Sequence, residues 1–182
     1  MIPGKGVRLR ALEREDLSMV VSWFNDPETR ATLASWRPMS MADEARWFDA
    51  ISGSKTDIVF IIEAVSGAEG GPRPRAVGSC GIHNIDWKNR TCLVGIVIGD
   101  KSDRGKGHGT EAMRAMVRWA HKELGLHRVE LEVFPHNAAA VKSYERLGFT
   151  RDGVRRGAYF RDGRFHDLYL MSALPGELLE LP

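Results

Sequence analysis

Cysteine is scarce in this chain. Only Cys80 and Cys92 occur in 182 residues, too few for a disulfide framework or a thiolate metal cluster, and small buried thiols in neighbouring strands are the expected role. No metal site is expected. Long apolar runs are also missing. Ile58–Ile62 and Gly95–Ile98 fall far below the roughly 18 residues that a bilayer span requires, so no membrane partner is expected. The N-terminus lacks a basic stretch followed by an apolar core, which makes the cytoplasm the expected compartment. Charge of one sign is not in excess either. A formal net charge of +2 is too small for an electrostatic footprint on nucleic acid. Arg151, Arg155, Arg156, Arg161 and Arg164 do crowd together, but Asp152, Asp162 and Asp167 stand among them, so a solvated, self-compensating hairpin is expected.

What is present is an ordinary globular balance, 43% hydrophobic and 27% charged, in a length that suits one domain over 1–182. Val7 and Leu9 alternate with Arg8 and Arg10 as in a half-buried strand. Leu17, Val20, Val21 and Phe24 then recur at helical spacing up to Asn25-Asp26-Pro27. Residues 28–38 read as a short helical or irregular piece. Ser40 with Asp43 resembles a capping box that opens a helix burying Trp47, Phe48 and Ile51. Ile58–Ile62 is the signature of a strand covered on both faces. Ser66 to Arg75, with its glycines and prolines, reads as a mobile hairpin loop. Val77–Ile85 and Thr91–Ile98 form an antiparallel hairpin. A helix carrying Met113, Met116, Val117, Ala120 and Leu124 follows, then a strand through Val129–Val133 and a helix from Asn137 to Gly148. Two final strands meet at an Asp162-Gly163 turn.

The chain turns on one stretch, in which an apolar strand ending at Ile98-Gly99 empties into Asp100-Lys101-Ser102-Asp103-Arg104-Gly105-Lys106-Gly107-His108-Gly109-Thr110 and opens a helix. Glycines at 105, 107 and 109 remove the Cβ atoms that keep an anion away from backbone N–H groups at the positive end of a helix. Lys101, Arg104, Lys106 and His108 add cationic side chains. Spacing excludes two other phosphate loops. A P-loop needs Gly-Lys-Ser/Thr, whereas Gly109 is followed directly by Thr110. A dinucleotide fingerprint needs its third glycine at position 110.

Arg104-Gly105-Lys106-Gly107-His108-Gly109 resembles the acetyl-CoA pyrophosphate loop of the GNAT superfamily of N-acetyltransferases. Asn137-Ala138-Ala139-Ala140-Val141-Lys142-Ser143-Tyr144-Glu145-Arg146-Leu147-Gly148-Phe149, beginning 33 residues after Arg104, is similar to a second segment of that superfamily. The opening Val7–Leu17 and closing Gly157–Gly163 resemble its RimJ/RimL branch, which includes spermidine acetyltransferases. The resemblance implies a single α/β domain, a three-layer sandwich of a mixed, mostly antiparallel sheet with helices on both faces. It also implies acetyl-CoA as co-substrate. Val97, Ile98 and Gly99 would hold pantetheine through unpaired main-chain N–H groups, with glycine at 99 allowing close approach. Arg104, Gly105, Lys106, Gly107, His108, Gly109 and Thr110 would take the pyrophosphate, and Asn137 would bond the pantetheine arm. Tyr144, about two turns after Asn137 and on its helix face, would protonate the departing thiolate, since a phenol remains protonated at neutral pH.

Many relatives carry a glutamate base at the start of the loop strand, but Cys92-Leu93-Val94 offers none. His83, Asp86 and Glu28 remain as candidates. The expected activity is acetyl transfer to a primary amine of a protein N-terminus or small molecule, by direct attack in a ternary complex. A non-catalytic CoA-binding module and a polyamine acetyltransferase are the alternatives. Arginines in the C-terminal hairpin and Trp36-Arg37 favour a peptide N-terminus, or a metabolite carrying negative charge, over a polyamine. Dimers are common among such relatives, so a homodimer is an open expectation.

Overall fold

The computed structural model describes residues 1–65 and 73–179. The expected loop at Ser66 to Arg75 falls mostly outside the described residues. Eight strands form one sheet, ordered β1 (Ile2–Gly4), β2 (Val7–Ala11), β3 (Ile58–Ala64), β4 (Arg75–Asp86), β5 (Thr91–Ile98), β6 (Arg128–Val133), β8 (Arg164–Ala173) and β7 (Thr150–Arg161). Every neighbouring pair is antiparallel except β5 with β6. The Asp162-Gly163 turn joins β7 to β8 with both residues at positive φ, 50° and 75°, as the tight turn of a twisted hairpin requires.

Among the described residues five α-helices cover the sheet: α1 (Leu17–Asn25), α2 (Pro27–Arg30), α3 (Met41–Ser52), α4 (His108–Lys122) and α5 (Ala138–Leu147). The crossovers from β5 through α4 to β6 and from β6 through α5 to β7 step the same way across the sheet. Right-handed connection therefore places both helices on one face. Met113, Met116 and Val117 of α4 and Val141 and Leu147 of α5 share a core with Leu9, Ile62, Ile82, Val94 and Val129. On the opposite face Leu17, Val20 and Trp23 of α1 pack with Leu12 and Ile61, and Phe48 and Ile51 of α3 join them. The three-layer α/β sandwich is the architecture expected from sequence. In β3, Phe60 and Ile62 enter one core and Ile61 the other, as strand alternation demands.

One expectation is corrected in α3. The Ser40 cap is as expected, its Oγ accepting from the Asp43 N–H at 3.0 Å. Trp47, however, is 37% exposed, Phe48 and Ile51 are only half-buried, and the one fully buried side chain of the helix is Glu44, 3% exposed. The reason lies beneath the helix, where a cavity rather than close-packed sheet meets its inner face.

Candidate active site

Strands β5 and β6 pair at only three positions, Thr91 with Arg128, Cys92 with Val129 and Leu93 with Glu130. Beyond them β5 stays with β4 and β6 stays with β8, so a wedge opens in the sheet. Gly99 donates its N–H to Val77 O at 2.9 Å, and Gly78 faces Ile98. The alternation of an antiparallel ladder then turns the main chains of Ile96 and Ile98 towards the wedge, and those of Val97 and Gly99 towards β4. Of the three residues expected to present unpaired N–H groups there, only Ile98 faces the right way. Gly99 is required for another reason: a Cβ on it would collide with the Trp23 indole.

At the wide end of the wedge the chain turns through Lys101–Asp103 into α4. Asp103 is buried, and both terminal nitrogens of Arg75 donate to its carboxylate at 2.7 Å. Hydrogen bonding from Arg75 holds Asp103 below the usual carboxylate range. Gly105 and Gly107 adopt left-handed φ of 74° and 87°, and a Cβ at either would meet nothing within 4 Å. Gly109 differs. It lies inside α4, where a Cβ would sit 3.4 Å from Ile98 Cγ1, so its smallness serves helix–strand packing. Gly107 is the N-cap and provides no side chain to cap the first turn of α4. The N–H groups of His108, Gly109 and Thr110 therefore open onto solvent space at the positive helix end, which suits an anionic phosphate.

Lys101, Arg104 and Lys106 around this turn already have protein partners. Lys101 donates to Glu28 at 2.9 Å. Arg104 donates to Thr29 Oγ1 at 2.6 Å and to Gly99 O at 3.1 Å, with Asp26 and Glu28 each 3.8 Å away. Lys106 lies 3.6 Å from Asp103. The main-chain N–H groups at the start of α4 are left for an anion, while Arg104 latches the α1–α2 wall to the end of β5. Thr110 and Ser143 hydroxyls meet at 2.7 Å, tying the mouth of the cradle to α5. Tyr144 follows Ser143. It is half-buried, lies 5.8 Å from the Phe149 ring, and has its hydroxyl pushed up to about 12 by burial. Asn137 caps α5, its Oδ1 accepting from the Ala140 N–H at 3.3 Å.

On the sheet face opposite α4, a cavity of about 470 Å³ lies against the same stretch of β5. Ser79, Gly81, His83, Gly95 and Val97 form its floor, and Phe24, Trp47 and residues 33–35 belong to its walls. The 31–35 wall is held from β7. Arg161 donates to the carbonyls of Arg30, Leu33 and Ser35 at 2.8–2.9 Å and of Ala31 at 3.2 Å, and Tyr159 Oη donates to Ala34 O at 2.7 Å. The arginine-rich hairpin expected to compensate itself thus spends Arg161 on a neighbouring loop. Asp152 pairs with Arg128 at 2.7 Å, and Arg155 with Glu132.

Among the three candidate bases, only His83 lines the cavity. Glu28 is engaged by Lys101, and Asp86 accepts the Lys88 and Asn89 N–H groups at 2.9 Å within the β4–β5 turn. His83 Nδ1 lies 3.2 Å from Asp57 Oδ1. Burial alone would raise Asp57, but hydrogen bonds from Ser54, Thr56 and His83 hold it below its ordinary value. His83 pairs directly with Leu93 across the ladder, so its imidazole neighbours the strand position where the expected glutamate is lacking. Glu44, which sequence reasoning did not single out, lines the cavity too. Its signal was there to be read. Glu44 shares the helical spacing of Trp47, Phe48 and Ile51, which puts a carboxylate on an apolar face.

A sheet that splays beside an uncapped helix start, with a cavity reaching the same strand from the other face, leaves room for an anionic ligand and a second molecule on either side of one β-strand. Residues 7–150 match the acetyltransferase (GNAT) domain family, and the chain belongs to that family. It is an N-acetyltransferase whose acetyl donor is acetyl-CoA. The chain is similar to the uncharacterized N-acetyltransferase p20 of Bacillus licheniformis, with 26% identity covering 93% of each chain. It is likewise 26% identical to the putative ribosomal N-acetyltransferase YdaF of Bacillus subtilis, over 96% of this chain and 88% of that one. The crystal structure of a Vibrio cholerae spermidine N-acetyltransferase in complex with CoA and spermine superposes with a TM-score of 0.86 at 23% identity, covering 94% of this chain and 97% of that one. Among the described residues no cluster of three or more His, Cys, Asp or Glu side chains could hold a metal ion, and no helix is long and apolar enough to cross a membrane.

Proposed function

We propose that residues 1–182 form one acetyltransferase unit, of the RimJ/RimL kind and cytoplasmic, that acetylates a primary amine on a small molecule or a protein N-terminus. The observation that carries this reading is the two-sided access to β5, with the wedge and cradle on one face and a walled cavity at Gly95 and Val97 on the other. Gly105 to Thr110 take the pyrophosphate of acetyl-CoA, with Arg104 and Lys106 shaping the turn. Ile98, between Val97 and Gly99, offers its main chain to the pantetheine arm and the thioester oxygen. Asn137, already used through Oδ1 as a cap, adds its amide.

The acceptor enters the cavity as an ammonium ion. With Nδ1 donating to Asp57, His83 carries its lone pair on Nε2 and accepts a proton from the amine. The amine nitrogen then attacks the thioester carbonyl. A C–N bond forms, the nitrogen gives up its excess proton to solvent, the C–S bond breaks, and the thiolate takes a proton from the Tyr144 hydroxyl, which is restored from solvent as His83 releases the proton it accepted. Burial keeps that hydroxyl protonated throughout the physiological range.

The test is CoA release from acetyl-CoA against a panel of amines and N-terminal peptides, repeated with His83→Asn. Turnover with at least one amine, reduced about 10²–10⁴-fold by His83→Asn with acetyl-CoA affinity kept, is the expected result. Acetyl-CoA binding without turnover on a broad panel returns the chain to a non-catalytic CoA-binding module. Polyamine acetylation is a second reading, supported by 25% identity to the Vibrio cholerae spermidine N(1)-acetyltransferase over 94% of each chain.

A further inference from the structure

The cavity beside β5 contains one charged group whose surroundings are unusual. Glu44 is 3% exposed, and burial is the only influence on its carboxyl, which it pushes up. No arginine, lysine or histidine among the described residues pairs with it. Its neighbour Asp43 is the opposite case, bonded by the Ser40 hydroxyl and Arg46 and approached by Arg37 at 3.9 Å. A buried carboxylate without a partner is unfavourable in the empty protein, and it is a side chain that an arriving cation relieves. Around Glu44 the lining is apolar, with Leu12, Val20, Phe24, Met39, Trp47 and Val59. The other charged groups of the lining are Arg37 and the engaged Asp43, with His83 on the floor.

We propose that Glu44 is the specificity-determining residue for the acceptor, and that the acceptor is a small monoamine carrying one primary ammonium on an apolar body. This rests on the amine-acetyltransferase reading above. One carboxylate is open to one ammonium, and the rest of a ligand filling about 470 Å³ meets hydrocarbon and aromatic rings. A second ammonium of a polyamine would find apolar wall, Arg37, or an aspartate already bonded. Trp47, on the same helix face as Glu44, adds a ring against which an ammonium or an apolar chain can lie. Glu44 positions the amine, and His83 remains the proton acceptor.

The experiment titrates 2-phenylethylamine, hexylamine, spermidine and an alanine-starting peptide into wild type and Glu44→Gln, each saturated with CoA, and follows heat. The monoamines should bind wild type more tightly than spermidine or the peptide. Glu44→Gln should weaken them at least tenfold, the loss expected for a charge-assisted contact in a site shielded from water. Acetyl-CoA affinity should stay unchanged. The same variant should melt no lower than wild type, because it removes a buried charge that has no protein partner, whereas a structural glutamate would lose stability on substitution. Tighter spermidine or peptide binding, no monoamine binding to wild type, or equal monoamine binding by Glu44→Gln overturns the inference. Turnover is measured separately with the monoamines. Binding lost on Glu44→Gln without any turnover in wild type would sink the catalytic reading and leave the Glu44 assignment standing.

Discussion

Substituting Gly107 separates a phosphate cradle from a simple turn. Its φ of 87° is left-handed, and a Cβ there meets nothing within 4 Å. Alanine therefore brings no collision inside the protein and costs only the left-handed conformation, about 1–2 kcal/mol. For a domain of this length that corresponds to a fall in Tm of roughly 2–8 °C. The new methyl group projects into the space where a phosphate must approach the N–H groups of the first turn of α4. Loss of one charge-assisted bond to phosphate, about 1.5–3 kcal/mol, weakens acetyl-CoA binding about 10–150-fold. Gly107→Val should be worse on both counts, since β-branching resists positive φ. Gly6 supplies the control, because it has φ of 70° and equally empty surroundings in the β1–β2 turn, outside the Arg104–Thr110 loop. Gly6→Ala should lower Tm by a similar amount and leave affinity untouched. Thermal melting without ligand and calorimetry with acetyl-CoA read the two effects independently. Wild-type affinity in folded Gly107→Ala, or an equal loss of affinity in Gly6→Ala, would show that these N–H groups do not hold the donor.

Tyr144→Phe should lower kcat about 10²–10⁴-fold with acetyl-CoA affinity nearly unchanged; a loss under about tenfold would mean that solvent protonates the thiolate. Since burial pushes the Tyr144 hydroxyl up to about 12, it remains a donor throughout the working range, and no loss of kcat from its ionisation should appear below about pH 10 in a pH–rate profile. Arg161→Met releases the carbonyls of residues 30–35 and should raise the KM for amine several-fold while sparing that for acetyl-CoA; equal changes in both would refute a role confined to the acceptor wall. Asp103 has a folded-state pKa depressed by Arg75. Its stabilisation is present above the unfolded value near 4 and is lost as pH falls through the lower folded value. The Tm deficit of Asp103→Asn measured at pH 7 should accordingly shrink as pH drops below about 4, and a pH-independent deficit would contradict the ion pair.

Local chemistry was legible from the sequence by itself. Alternation at Val7–Arg10, the spacing of Met113, Met116 and Ala120, the Ser40 cap and the Asp162-Gly163 turn report short-range preferences, which neighbours along the chain settle. The glycine cradle belongs here as well, because positive φ at Gly105 and Gly107 is a property of the residue. Tertiary structure decided what each group faces. Whether the main chain of Val97, Ile98 or Gly99 opens to the wedge depends on ladder register with β4, and a one-residue difference reverses direction. Arg104 looked like a cation free for phosphate, and Arg161 like part of a self-compensating hairpin, because their partners lie 75 and more than 120 residues away in sequence, on surfaces that only folding brings together. Glu44 sits on a helix face that periodicity marks as buried, yet the cavity beneath it exists only because α1, α3 and the 31–35 loop do not close over the floor of β4 and β5. A carboxylate without a protein partner can be recognised once every side chain that might have reached it has been placed elsewhere.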